Sequence, residues 1–189
     1  MTRIISGSAR GRRLAVPDGR TTRPTSDRAR EGLFNTLVSV LGGLDTLRVL
    51  DLYAGSGAVG IEALSRGAAA ALLVESDRAA VRVVQANLDL LGLPGGRIST
   101  EHVERLAAAP CPDPPYDVAF LDPPYALATE EVASVLTALA ANGWLADEAL
   151  IAVERASRGP QWSWPEGFDP LRSRAYGEGT VWYGRRRAQ

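Results

Sequence analysis

Hydrophobic residues along the chain form short continuous runs that alternate with longer stretches of helical spacing. From residue 47 onwards, apolar runs typical of buried strands are separated by segments in which apolar residues recur every three or four positions. The pattern predicts strand 47–53, helix 58–66, strand 70–75, helix 77–91, a short strand near Ile98, strand 116–122, helix 128–142 and strand 150–154. Strands that alternate with helices predict an α/β fold with a Rossmann-like, doubly wound and mostly parallel sheet.

The two ends of the chain have a different pattern. Residues 3–7 and 12–16 are predicted to be extended and joined by a turn, which favours a β-hairpin outside the main core. After a connector rich in Pro, Gly and Thr, a helix is predicted to begin at Thr25-Ser26-Asp27 and to end at Gly42. The segment after residue 160 favours an edge strand or hairpin that completes the sheet. We therefore predict an N-terminal hairpin extension over 1–24 and a main domain over 25–189.

Composition narrows the class of protein. A length of 189 residues suits one domain with a small extension. The single cysteine, Cys111, excludes an internal disulfide framework, and with no secretory signal in the sequence it predicts a cytoplasmic protein. No apolar run is long enough to cross a membrane. The chain has one histidine, His102, which gives no reason to expect a metal site. We expect the protein to be a monomer.

Arginines are concentrated near the N-terminus, where residues 1–30 contain eight arginines and two acidic residues. A patch of this kind can neutralise several phosphates, so it predicts a docking element for nucleic acid. The candidate nucleic-acid-binding residues are Arg3, Arg10, Arg12, Arg13, Arg23 and Arg28. The alternative is that the hairpin caps the sheet and its arginines keep it soluble.

A glycine-rich stretch follows the first strand of the alternating region. Gly55, Gly57 and Gly60 spell G-x-G-x-x-G, which taken alone fits a dinucleotide such as NAD. Asp51 ends the strand just before this loop, and a carboxylate there disfavours a pyrophosphate. S-adenosylmethionine carries an ammonium and a sulfonium and no phosphate, so we predict it as the cofactor. The NAD interpretation and a glycine turn that only packs a helix on a strand stay open.

Other candidate cofactor residues follow the next two strands. Glu75 ends the second strand, where its carboxylate can accept hydrogen bonds from both ribose hydroxyls. His102 lies just past the short third strand, where an adenine ring is expected, although it also fits a surface position at the start of a helix. The complete candidate set is Asp51, Tyr53, Gly55, Gly57, Glu75, Ser76, His102 and Val103.

A second motif, Asp122-Pro123-Pro124-Tyr125, follows the strand 116–122. By itself it predicts only a rigid turn. Beside a methyl-donor loop it favours catalysis on an exocyclic amine of a nucleobase, because such an amine needs hydrogen-bond acceptors rather than a strong base. The Asp122 carboxylate and the Pro123 carbonyl can accept, and Tyr125 offers a flat face for an extruded base. Cys111 lies on the far side of the predicted sheet and is not expected to act as a nucleophile.

These motifs in combination resemble the RsmD family, bacterial methyltransferases that act on the exocyclic N2 of a guanine in 16S ribosomal RNA. The matching stretches are R-I-I-S-G-x-x-x-G-R-x-L from residue 3, R-P-T-S-D-R-x-R-E-x-L-F-N at 23–35, D-L-Y-A-G-S-G-A-V-G-I-E-A-L-S-R-G-A at 51–68, D-P-P-Y at 122–125 and N-G-W-L at 142–145. His102 departs from the family, where an amide or acid is more usual, and 160–170 carries no family motif.

The resemblance implies a class I S-adenosylmethionine-dependent methyltransferase fold with an N-terminal β-hairpin extension. It also implies that the arginines of the hairpin contact RNA, and that the substrate is 16S rRNA in the small ribosomal subunit or its assembly intermediate. A DNA adenine-N6 methyltransferase stays open, since the D-P-P-Y motif does not distinguish the two amines. An NAD-dependent oxidoreductase is the third hypothesis.

Overall fold

A seven-stranded sheet forms the centre of the molecule in the computed structural model, which describes residues 2–17 and 27–188. Its strands are β3 (Arg48–Leu52), β4 (Ala70–Val74), β5 (Gly96–Ser99), β6 (Tyr116–Leu121), β7 (Leu145–Ala156), β8 (Phe168–Tyr176) and β9 (Gly179–Arg186). They lie in the order β5-β4-β3-β6-β7-β9-β8. The first five are parallel to one another, and β9 is antiparallel to both of its neighbours.

Helices cover both faces of the sheet. They are α1 (Asp27–Leu41), α2 (Ala58–Ser65), α3 (Arg78–Leu91), α4 (Val103–Ala108) and α5 (Thr129–Ala141). Apolar residues of α1, α2 and α3 pack with one set of strand residues in a single hydrophobic cluster, and those of α4 and α5 pack with the opposite set in another. The predicted α/β, doubly wound and mostly parallel class is therefore confirmed.

Two elements differ from the sequence-based expectation. The strand β7 begins at Leu145, five positions earlier than predicted, and α4 was anticipated only through the possible helix start at His102, with no range. The expectation that the C-terminal segment completes the sheet is confirmed, since it forms the long hairpin β8–β9, whose second strand lies between β7 and β8. Seven of the nine residues of β8 are exposed, because it is an outer strand, and its sequence therefore lacks the apolar alternation that predicts strands.

The N-terminal segment forms the predicted antiparallel hairpin, from β1 (Thr2–Arg3) and β2 (Arg13–Leu14). The expectation that this hairpin lies outside the main core is wrong. Ile4, Ala9 and Leu14 are buried in the same hydrophobic cluster as α1, α2 and α3. The apolar residues of the hairpin are few and are separated by arginines and glycines, so their spacing in the sequence does not predict a buried face.

A buried acid on α2 fixes the hairpin to the main domain. The carboxylate of Glu62, fully buried, accepts hydrogen bonds from the backbone N–H groups of Ile5 at 2.7 Å and Ser6 at 2.9 Å. The same carboxylate forms ion pairs with Arg66 at 2.7 Å and with the fully buried Arg30 at 3.7 Å. The hairpin and the main domain therefore share one core. The proposed boundary at residue 24 and the predicted N-cap residues Thr25 and Ser26 lie outside the described residues.

Candidate active site

Four acidic residues lie at the carboxyl ends of four neighbouring strands and on one face of the sheet. Each comes two positions after an apolar residue that packs against α1, α2 or α3, and side chains two positions apart on a strand share a face. Because β4, β3, β6 and β7 are adjacent and parallel, these ends meet at the edge where open α/β sheets bind ligands. The four residues, called the carboxylate row below, are Glu75, Asp51, Asp122 and Glu154 in spatial order.

Asp51 lies between Glu75 and Asp122 in this row. Its side chain is buried, and one carboxylate oxygen accepts a hydrogen bond from the backbone N–H of Gly60 at 2.8 Å. Burial raises the pKa of Asp51 to about 8, and the neighbouring carboxylates of Asp122 and Glu75 add to the rise against the opposing effect of the Gly60 bond. A cation bound here would favour the ionised form of Asp51, whereas a pyrophosphate would be repelled by it.

The glycine loop between β3 and α2 lies beside Glu75. Gly55 has a φ of +57°, and no atom lies within 4 Å of the position that a Cβ would take, so the loop is open to a ligand. Gly57, at a φ of +77°, instead packs tightly, because a Cβ there would lie 2.8 Å from Leu73. Glu75 accepts hydrogen bonds from the backbone N–H groups of Gly55 at 2.9 Å and Asp77 at 2.8 Å. Its carboxylate oxygens retain lone pairs for further donors.

A cleft of about 190 Å³ opens next to this loop. Six of the predicted site residues line it together, namely Tyr53, Glu75, Ser76, His102, Val103 and Pro124. The Tyr53 hydroxyl donates a hydrogen bond to Glu104 at 2.8 Å, which fixes that wall of the cleft. His102 is exposed and directly precedes α4. It therefore lies beside the cleft and also at the surface before a helix, so the two positions considered for it from the sequence are the same place. The roles of these residues toward a ligand stay predictions.

The D-P-P-Y turn follows β6, beside β3. The backbone N–H of Asp122 donates to the carbonyl of Leu52 at 3.4 Å, which extends the β3–β6 ladder into the turn. Pro123 is buried, whereas the ring of Tyr125 is half exposed, with 51% of its surface accessible. The two prolines leave no backbone donor next to the Asp122 carboxylate. The turn therefore presents hydrogen-bond acceptors and an accessible ring at the same edge as the cleft beside the glycine loop.

The arginines of the predicted docking element are on the surface of the hairpin and of α1. Arg3, Arg10, Arg12, Arg13 and Arg28 are all exposed. Arg23, the sixth candidate, lies outside the described residues. The exposed guanidinium groups leave this face positively charged, although some contact neighbouring protein groups. Arg3 forms a 3.6 Å ion pair with Asp27.

Two residues of the site escaped the sequence analysis. Glu154 completes the carboxylate row, and the only sequence signal was an acid after the apolar run of β7. Asn87, buried on α3, connects the hairpin to the glycine loop. Its amide accepts from the backbone N–H of Ala15 at 2.8 Å and donates to the carbonyls of Ala15 at 3.0 Å and Ser56 at 3.1 Å. Asn87 thus links the N-terminal segment to the glycine loop through one side chain.

Within residues 2–17 and 27–188, no group of three His, Cys, Asp or Glu residues is arranged to hold a metal ion. No helix in the same ranges is both long and apolar enough to cross a membrane.

Comparison with known proteins identifies the family. The family model described as Conserved hypothetical protein 95 matches residues 2–185. The chain is 45% identical over 152 residues to the ribosomal RNA small subunit methyltransferase D of Escherichia coli strain K12, covering 80% of this chain and 73% of that protein. The chain belongs to the RsmD family. The resemblance deduced from the sequence motifs is therefore confirmed.

Solved structures give the same result for the RsmD fold. A methyltransferase structure from Escherichia coli, YhhF, superposes with a TM-score of 0.85 at 40% identity, covering 100% of this chain and 99% of that one. The magnesium protoporphyrin IX methyltransferase of Synechocystis, solved with bound S-adenosylmethionine, superposes with a TM-score of 0.66 at 19% identity over 84% of this chain and 78% of that one. The second likeness concerns the fold alone. Together they confirm the class I methyltransferase fold.

Proposed function

We propose that this protein transfers a methyl group from S-adenosylmethionine to the exocyclic N2 of a guanine in 16S rRNA of the small ribosomal subunit. The observation that carries the proposal is the carboxylate row, which joins the donor cleft to the D-P-P-Y turn along one edge of an RsmD-family sheet. The names of the relatives support small-subunit rRNA as the substrate class. The choice of guanine N2 within that class is our inference.

The part of the site formed by Asp51, Glu75, the glycine loop and the cleft, called the donor half below, fits S-adenosylmethionine in charge and in shape. Glu75 and the buried Asp51, whose ionised form a bound cation would favour, suit a ligand that carries two cationic groups, and the open face of Gly55 permits close approach to the backbone. When bound, the donor supplies an activated methyl group on its sulfonium. We assign the adenosine part to the cleft lined by Tyr53, Ser76, His102 and Val103, with Glu75 accepting hydrogen bonds from ribose hydroxyls.

The D-P-P-Y turn, where the methyl acceptor would bind, fits an amine that must become a nucleophile. Hydrogen bonds from the amine to the Asp122 carboxylate and the Pro123 carbonyl would draw the nitrogen toward a tetrahedral geometry. The lone pair would then face the methyl group, and positive charge on the nitrogen would develop beside Asp122, where it is stabilised most in the transition state. The buried Pro123 holds the carbonyl in place, and Tyr125 is exposed enough for a base to stack on its ring.

Mass mapping of 16S rRNA from cells with and without the protein tests the proposed function. We expect one guanine to carry an additional methyl group on N2 only when the protein is present. Adenine methylation of genomic DNA, measured in the same cells, should not change. Methylation of DNA adenine with unmodified 16S rRNA would instead favour the DNA methyltransferase alternative.

Glu75→Ala is expected to weaken binding of S-adenosylhomocysteine by about 2–4 kcal/mol, because two charge-assisted hydrogen bonds to the ribose are lost. The substitution also removes the acceptor for the Gly55 and Asp77 amides, so Glu75→Gln, which keeps one acceptor oxygen, should lose less. Isothermal titration calorimetry measures both. The exposed Glu130→Ala is the control. Unchanged affinity in Glu75→Ala would remove Glu75 from the site.

We propose that the exposed arginines of the hairpin contact rRNA phosphates. Replacement of Arg10, Arg12 and Arg13 by glutamine should flatten the salt dependence of binding to small-subunit particles by up to about three units of slope, if each arginine meets a phosphate. The control removes the same charge at the β8 margin of the sheet, by replacing Arg172 and Arg174 on β8 and Arg187, which directly follows β9. Equal slopes for the two triple variants would contradict a docking role for the hairpin.

A further inference from the structure

Glu154 stands beside Asp122 at the carboxyl end of the neighbouring strand. In the β6–β7 ladder Leu121 is opposite Val153, so the next residues, Asp122 and Glu154, are also neighbours. Both side chains lie on the face of the sheet that packs against α1, because Phe120 and Ala152 belong to that cluster. Nothing in the chemistry derived above uses Glu154.

The surroundings of Glu154 among the described residues leave one oxygen of its carboxyl group without a hydrogen-bond partner. One oxygen, Oε2, is buried and has no hydrogen-bond partner in the described part of the protein. A Cβ added at Gly179 on β9 would lie 2.6 Å from the other oxygen, Oε1, and 3.5 Å from the hydroxyl of Tyr125. The missing side chain at Gly179 therefore lets the carboxyl group of Glu154 pack directly against β9, on the side where the Tyr125 hydroxyl of the D-P-P-Y turn also lies. Burial, followed by the charge of Asp122, raises the pKa of Glu154 to about 8. A buried oxygen without a partner is costly unless a ligand supplies a donor.

We propose that Glu154 recognises the Watson–Crick edge of the target base by accepting a hydrogen bond from guanine N1–H, next to the amine held by Asp122. This inference rests on the proposed function. Guanine carries N1–H and the N2 amine side by side, so two adjacent carboxyl groups match two adjacent donors. In adenine the ring nitrogen beside the N6 amine is an acceptor, and it would face the carboxylate oxygen of Glu154. Glu154 thus supplies the distinction between guanine N2 and adenine N6 that the D-P-P-Y turn cannot make.

The test uses 2-aminopurine, which keeps the 2-amino group but has an acceptor at N1. Small-subunit particles are assembled with either guanine or 2-aminopurine at the mapped target position, and kcat/KM is measured for both. At a pH above the raised pKa of Glu154, where its carboxylate can only accept, we expect kcat/KM of the wild-type protein for 2-aminopurine to be about 10- to 100-fold lower, as for loss of a hydrogen bond to a charged group. Glu154→Gln should bring the two substrates within about threefold of each other, since the glutamine amide can donate to N1.

Glu148→Gln makes the same chemical change at the other end of β7 and is expected to keep the wild-type ratio. The ratio of the two substrates is taken within each variant, so partial unfolding of Glu154→Gln does not affect it. If the wild-type protein methylates guanine but Glu154→Gln keeps the wild-type ratio of kcat/KM between guanine and 2-aminopurine, the role of Glu154 is overturned. The proposed function would still stand. A wild-type protein that fails to methylate guanine in these particles would contradict the proposed function itself, and the role of Glu154 with it.

Discussion

We expect Asp122→Ala to lower kcat for methyl transfer about 10²- to 10³-fold, because its carboxylate stabilises positive charge that appears on the amine only in the transition state. Binding of S-adenosylhomocysteine should change little, because this ligand lacks the sulfonium and the donor cleft does not include Asp122. Single-turnover methylation of small-subunit particles measures the rate, and calorimetry measures the binding.

The matched control for this variant is Asp169→Ala. Asp169 is an exposed acid on β8 that pairs with Arg187 at 2.7 Å, far from the carboxyl ends of the parallel strands. We expect its rate of transfer to equal that of the wild type. A wild-type rate in Asp122→Ala would show that the D-P-P-Y turn has no part in the chemistry.

Glu62→Ala is expected to lower the free energy of unfolding by about 3–5 kcal/mol, because it removes the buried acidic partner of Arg30 and leaves only the partly exposed Asp27, at 3.0 Å, to compensate that buried charge. It also removes the acceptor for two backbone amides of the hairpin, at Ile5 and Ser6. Urea denaturation monitored by tryptophan fluorescence measures the change.

Two further variants separate charge from packing at this position. Glu62→Gln preserves the size of the side chain but not its charge, so it should also be destabilising, although less than alanine. Glu166→Ala, at an exposed acid, should stay within about 0.5 kcal/mol of the wild type. If Glu62→Ala were as stable as Glu166→Ala, the hairpin would not depend on this buried acid.

The donor half of the site could be predicted from the sequence because its parts are close together in the chain. Asp51, the glycine loop and Glu75 lie within 51–75, and a strand–loop–helix–strand pattern places all of them at one edge. Asp122 could be added because its motif is distinctive. Glu154 has no such motif, and only the register of β6 against β7 shows that it neighbours Asp122.

The attachment of the hairpin could not be predicted for a related reason. The partners of Glu62 are backbone amides that lie 56 and 57 positions away, and backbone groups leave no mark on the sequence. Asn87 likewise contacts backbone atoms of Ala15 and Ser56, so a helical asparagine gave no signal. Periodicity locates strands and helices, but it does not show which polar side chain joins two of them.

The two outermost strands, β5 and β8, bear on how copies of the molecule behave in concentrated solution. An uncovered strand edge can add a strand from another molecule, which is a common start of aggregation. In β8, Pro170 offers no N–H, the ladder is irregular between Pro170 and Arg172, and Arg172 and Arg174 add charge. The other edge, β5, has only four residues, and the side chain of Arg97 there forms a salt bridge with Asp113 at 2.7 Å. Both margins are therefore poor templates for strand addition between copies of this chain.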